Sequence, residues 1–168
     1  CIRDSNKTGS TPLSGASQND NFRSVAALLA ADGVDVNGAN MYGCTSLLIA
    51  CQNGCVRSVR LLLAKEGIRV NQATHDDATS IVKNNGTIGG VGPFQSVTPL
   101  RIAAQMGHLE VVRVLVEQDG IDLDKPGNTC AALGFESPLQ IARRMGHDAI
   151  AEVLLAAGAK DDAAAADE

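Results

Sequence analysis

Thr98-Pro99-Leu100-Arg101-Ile102-Ala103-Ala104-Gln105-Met106-Gly107-His108-Leu109-Glu110-Val111-Val112 carries the reading of this chain. Thr is a good helix N-cap, and Pro in the first helical position has no N–H to waste. Leu100 and Ala103, three apart, face the same way. Gly107 permits the left-handed turn that ends a helix. Leu109 to Val116 then alternates apolar and polar residues with a helical period. The stretch reads as two short helices joined by a tight turn.

The pattern recurs. Thr11-Pro12-Leu13, Thr45-Ser46-Leu47 and Ser137-Pro138-Leu139 open three further copies. Ala16, Ala50, Ala103 and Ala142 stand three residues after each Leu, and Leu28, Leu62, Leu115 and Leu154 recur at a fixed later position. Gly54, Gly107 and Gly146 mark the turn, where the first copy has Asp20. Val36-Asn37, Val70-Asn71 and Leu123-Asp124 close the first three copies, always 26 residues after the opening Thr (11 to 37, 45 to 71, 98 to 124). The openings themselves are 34, 53 and 39 apart, so all length variation lies between copies. A constant unit with variable junctions is what stacked modules produce, because insertions are tolerated in loops. A lone helix pair cannot bury both faces, so neighbours must stack.

On these residues the chain resembles the ankyrin repeat family, whose signature is Thr-Pro-Leu-His-x-Ala. The resemblance spans about residues 2 to 162. It implies an all-α, ankyrin-type helical repeat solenoid of stacked helix-turn-helix units with β-hairpin-like connecting loops. Residues 1–168 then form one domain. Residues 1–10 end a preceding hairpin, since Asn6 to Ser10 aligns with Asn40 to Cys44. Repeats start near 11, 45, 98 and 137, an inserted hairpin or loop covers 73–96, and an acidic Ala-rich tail covers 163–168. An upstream repeat is expected, within a longer protein. Arg143 and Arg144 make the last first-helix polar, as a capping repeat requires. The signature His is replaced by Ser14, Leu48, Arg101 and Gln140, which implies loss of a side-chain hydrogen bond that the family uses between repeats. Gly15 and Asp20 make the first copy the expected loosest unit. The resemblance also implies that His108 and His147, each after the turn Gly, pack and hydrogen-bond in the turn between the two helices.

Composition narrows the function classes. The chain has 168 residues, 14 basic against 19 acidic, for a net charge of −5. Lys160, Asp161, Asp162, Asp167 and Glu168 alone contribute −3, so the body is nearly neutral. A nucleic-acid partner is not expected, because such binders show a basic face interleaved with aromatics. Aromatics are only 2 %, so the core must be aliphatic. No apolar run approaches the ~20 residues of a membrane helix, and no membrane partner is expected. Five Cys at irregular spacing point to reduced thiols, hence a cytoplasmic or nuclear location, and a monomer is expected.

Several constellations invite chemistry and have a plainer account. Cys51 and Cys55, with Cys44 nearby, could ligate zinc, but they align with Ala104 and His108 as ordinary repeat positions. A Cys-His hydrolase on Cys51 or Cys55 would need a partnered cleft, and no such grouping is evident. His75-Asp76-Asp77 reads as a solvated loop. Gly86, Gly89, Gly90 and Gly92 lack the Lys-Ser/Thr of a phosphate loop. Arg57, Arg60 and Arg113 read as a solvated outer face. The chain is expected to be no enzyme and to need no cofactor or metal. Residues 79 to 91 place Asn84-Asn85-Gly86 between β-formers, which reads as a projecting finger or, equally, as a Gly-rich loop.

In ankyrin proteins the binding face is usually concave, lined by hairpin tips and the exposed side of the first helices. By position, the resemblance puts Met41, Tyr42, Phe94, Gln95, Leu133, Phe135 and Glu136 at or near tips. It puts Gln52, Asn53, Gln105, Met106, Arg144 and Met145 on the first helices. The implied function is a non-catalytic protein-protein interaction scaffold with an unidentified protein partner. The alternative is a regulatory or substrate-docking segment of a larger enzyme or channel.

Overall fold

The computed structural model describes residues 10–74, 96–127 and 135–161. Eight helices run through them: α1 (Pro12–Gln18), α2 (Phe22–Ala30), α3 (Ser46–Gln52), α4 (Val56–Leu63), α5 (Pro99–Met106), α6 (Leu109–Val116), α7 (Pro138–Arg144) and α8 (Asp148–Ala156). The fold is an all-α stack of helix pairs.

The opening Thr or Ser does what its chemistry allows. Thr11, Thr45, Thr98 and Ser137 each accept a bond from the backbone N–H three residues on, at 3.1 to 3.3 Å. Ser137 completes a capping box, because its own N–H donates to Gln140 Oε1 at 2.9 Å. Gly54, Gly107 and Gly146 end the first helices at φ 68, 77 and 75°. Asp20 takes the same left-handed conformation at φ 49° in the first copy. The next residue's N–H then reaches back to the signature Ala carbonyl: Asn21 to Ala16, Cys55 to Ala50, His108 to Ala103 and His147 to Ala142, at 2.9 to 3.1 Å.

The pairs stack in two rows. α1, α3, α5 and α7 touch in sequence along one row, and α2, α4, α6 and α8 along the other. By resemblance to ankyrin stacks, the odd row of first helices is taken as the inner row and the even row as the outer. One continuous aliphatic core runs through it. It includes Leu13, Leu47, Leu100 and Leu139 from the odd row and Leu62, Leu115 and Leu154 from the even row. Ala50, Ala103 and Ala142 are fully buried, where a larger side chain would hold each pair apart. The first copy is less enclosed, since Ala16 and Leu28 are only partly buried.

The constant closing residue has a physical reason. Asn37 Nδ2 donates to Gly67 O (2.8 Å) and its Oδ1 accepts from Arg69 N (2.8 Å). Asn71 repeats both bonds one unit on, to Gly120 O (2.7 Å) and from Asp122 N (2.9 Å). Asp124, with no amide to donate, accepts from Lys160 N at 2.8 Å. Each closing side chain thus ties one junction to the next. At the hairpins, Ala39 pairs with Thr45 and Gly127 with Glu136 as isolated antiparallel bridges. The expected finger or loop over 79–91 lies outside the described residues, but its feet are joined. Thr74 N donates to Val97 O, and Val97 N donates to Thr74 Oγ1, both at 3.1 Å.

Candidate partner-binding face

The implied binding residues divide into three groups. Phe94, Gln95 and Leu133 lie outside the described residues. Met41, Phe135 and Met145 stand out into solvent at 61, 57 and 46 % exposure. The rest are committed, wholly or in part, to the stack. Tyr42 is half-buried and packs on the core, and Met106 does the same at the end of α5. Gln52 is only 7 % exposed, which corrects its placement on the open side of a first helix. It is the last residue of α3 and lies under the next repeat, whose His108 takes its carbonyl. Asn53 is half-buried and donates to Ile49 O at 2.8 Å. Gln105 accepts from Arg101 Nη1 at 3.4 Å.

The tip around Met41 is shaped by Asn40, whose Oδ1 accepts from both Tyr42 N (2.9 Å) and Cys44 N (3.0 Å). Gly43 at φ 76° closes the turn. The tip at Phe135 is held by charge. Arg144 Nε and Nη2 grip the Glu136 carboxylate in a fork at 2.8 and 3.0 Å. Arg101 approaches Glu136 from inside: its Nε donates to Glu136 O at 2.9 Å, and its Nη2 lies 3.7 Å from Oε2. Glu136 and Arg144, both expected at a partner's disposal, are thereby bound to each other.

Arg101 overturns one expectation. Its presence in place of the signature His does not remove the link between repeats; it makes one of its own. The side chain is fully buried between the third repeat and the hairpin of the fourth. Burial, the larger effect, brings its pKa down to about 10 against the pull of Glu136. The equivalent Leu48 keeps the same position apolar in the second repeat.

The turn histidines also differ from expectation. They bond between repeats rather than within their own turn. His108 Nε2–H donates to Gln52 O at 2.9 Å, and His147 Nε2–H donates to Gln105 O at 3.2 Å. A carbonyl only accepts, so Nε2 carries the hydrogen. Cys55 takes that post in the second repeat, with Sγ 3.8 Å from Gln18 O. Asp20 adds a bond that sequence reasoning missed: its Oδ1 accepts from Ser58 Oγ at 2.9 Å, tying the first repeat to the second. The signal was present, because an Asp in a Gly turn has a side chain able to reach the neighbour.

The described cysteines are enclosed by the stack. Cys44, Cys51 and Cys55 are free and buried. Burial pushes the Cys44 thiol up to about 11 and raises Cys51 further, and Cys55 is raised by burial and by Asp20. A nucleophilic thiol needs the opposite shift. Among the described residues no three His, Cys, Asp or Glu side chains gather as a metal set. No helix among them is long and apolar enough to cross a membrane. Arg57, Arg60 and Arg113 are exposed, as the sequence implies.

Comparison with known proteins agrees with this architecture. A family model described as ankyrin repeats (three copies) matches residues 2–74 and 77–165. No curated protein matches the chain. The capped helix pairs, the left-handed turns and a match over nearly the whole length lead to one statement: the chain belongs to the ankyrin repeat family.

Proposed function

We propose that this chain is a non-catalytic protein-interaction scaffold that binds a protein partner through its hairpin tips and the inner row of helices. Ankyrin repeats generally serve as protein-protein interaction modules, and the family is typically non-catalytic. The observation that carries the reading is where apolar side chains are left in water. Four large ones are exposed among the described residues, and three of them, Met41, Phe135 and Met145, stand at tips or at the end of a first helix. Exposed aromatic and Met side chains on a rigid support are frequent binding anchors. Asn53, Gln105, Arg144, Phe94, Gln95 and Leu133 belong to the same proposed surface.

The test is affinity capture with the intact chain against a Met41→Ala/Phe135→Ala variant, with bound proteins identified by mass. Leu155→Ala, on the outer row, is the control. Loss of a specific protein in the tip variant and its retention in the control is expected. Equal capture by all three forms sinks the assignment. Tyr42 is unsuited to such a test, because its ring also packs on the core.

A further inference from the structure

The arginines of this chain fall into two populations. In the third and fourth repeats every one has a carboxylate: Arg101 and Arg144 have Glu136, Arg113 has Glu110, and Arg143 has Asp161. In the first and second repeats, among the described residues, none does. Arg23, Arg57, Arg60 and Arg69 are all exposed and make no ion pair within 4 Å.

The contrast is sharpest at equivalent positions of the outer row. In α6 the first turn carries Glu110, which pairs with Arg113 three residues on at 3.6 Å. In α4 the same two places hold Arg57 and Arg60. Three residues apart on one helix face, like charges repel mildly. The neighbouring α2 adds Arg23 and no acid, so two adjacent helices carry three cations and no acid of their own; the Asp20 carboxylate at the entry to α2 is held by Ser58 Oγ. Phe22 lies between them. The Arg57 guanidinium stands 5.1 Å from its ring centroid, and that of Arg23 stands 6.0 Å away. One half-buried aromatic ring therefore gathers two guanidiniums from two repeats. Further along the same row the sign reverses, with Asp148 and Glu152 exposed on α8.

We infer that the outer face of repeats one and two, centred on Phe22, Arg23, Arg57 and Arg60, docks an acidic peptide segment of a protein partner. Carboxylates fit the guanidiniums, which use that same counter-group throughout the other half of the molecule. An apolar residue beside them fits the Phe22 ring. The patch spans only two repeats and gives way to the acidic α8, so a long polyanion such as nucleic acid would be repelled along the rest of the row. This surface is separate from the tips, and the inference stands whether or not the tips bind a partner.

The experiment is amide-resolved NMR titration of the full chain with a short peptide alternating Glu with Phe and Leu. Its Gln-substituted counterpart, a phosphoserine version and a single-stranded oligonucleotide are run alongside. Shifts confined to Phe22, Arg23, Val56 and Arg57 are expected with the Glu peptide, weakening at least fivefold between about 50 and about 300 mM salt as screening shortens. Arg57→Gln/Arg60→Gln should abolish them, Arg23→Gln should weaken them independently from the other helix, and Arg113→Gln should leave them unchanged. All four side chains are exposed, so native spectra are expected throughout. The proposal is overturned if the Gln peptide binds as well or if the Arg variants bind unchanged. Preference for the phosphoserine peptide or the oligonucleotide overturns it equally.

Discussion

At the fourth residue of its opening motif the second repeat carries Leu48, and the third carries Arg101. Both are buried, and Arg101 reaches the hairpin of the next repeat. A few residues later Cys55 in one and His108 in the other point at the carbonyl of the preceding repeat. The same scaffold thus accepts an oily or an ionic filling at one post, and a weak or a strong donor at another. What the stack requires of these positions is filled volume and a satisfied acceptor. Which side chain supplies them is open.

The largest effect should come from breaking the ionic post. Arg101→Ala empties a fully enclosed site and releases the Glu136 hairpin, at an expected cost of roughly 3 kcal/mol. Arg101→Leu, which copies Leu48, should cost under about 1 kcal/mol, because a well-packed apolar residue can replace a buried charge. Urea midpoints at constant slope decide between them. If the two variants are equally unstable, the two repeats are not interchangeable at this position.

Next come the turns. A Cβ on Gly107 would sit 2.8 Å from the His147 ring, at a backbone φ of 77°. Gly107→Ala should therefore cost about 2 to 3 kcal/mol, combining left-handed strain with overpacking. Gly146, at φ 75° with nothing within 4 Å, carries only the strain, about 1 kcal/mol on Ala substitution. Calorimetric melting of both variants checks the order. His108→Ala should then cost about 1 to 2 kcal/mol by stranding the Gln52 carbonyl. Cys55→Ala should cost less than about 1 kcal/mol, since a thiol is a poor donor.

The smallest effect distinguishes the repeats by pH. The second repeat holds Cys44, Cys51 and Cys55, and the third holds none. The Cys44 thiol moves from its ordinary 9.0 to about 11 on folding. Above pH 9 the unfolded chain therefore sheds a proton that the folded chain keeps, so stability falls as pH rises. The loss from Cys44 should stay under about 1 kcal/mol up to about pH 9.5. Amide exchange should accelerate in α3 and α4 before α5 and α6, and uniform acceleration would contradict the assignment.

Much of this was legible because its chemistry is local. Thr98, Pro99 and Gly107 act within a turn of themselves, so cap, helix start and left-handed turn follow from their spacing. The constant distance to Asn37 and Asn71 was legible as a regularity, and its cause needed the partner glycines at 67 and 120. The misread residues are those whose partners lie a repeat away. Arg101 meets Glu136 35 residues on, and His108 meets Gln52 56 residues back. Gln52 reads as a polar surface residue because only the neighbouring unit covers it. The tips read well where exposure follows from loop position, as at Met41 and Phe135, and less well at Glu136, whose charge is taken by Arg101 and Arg144.

The clasp between Thr74 and Val97, with Asn71 reaching over to Gly120, fixes the two ends of the second junction by bonds of their own. Chain length there becomes a free variable. Doubling an insert pinned at both ends adds only about 0.6 kcal/mol of closure entropy. Selection can rewrite that segment, lengthen it or exchange it for foreign sequence while the layers on either side keep their registration, which makes this seam the natural place for the lineage, or an engineer, to install new specificity.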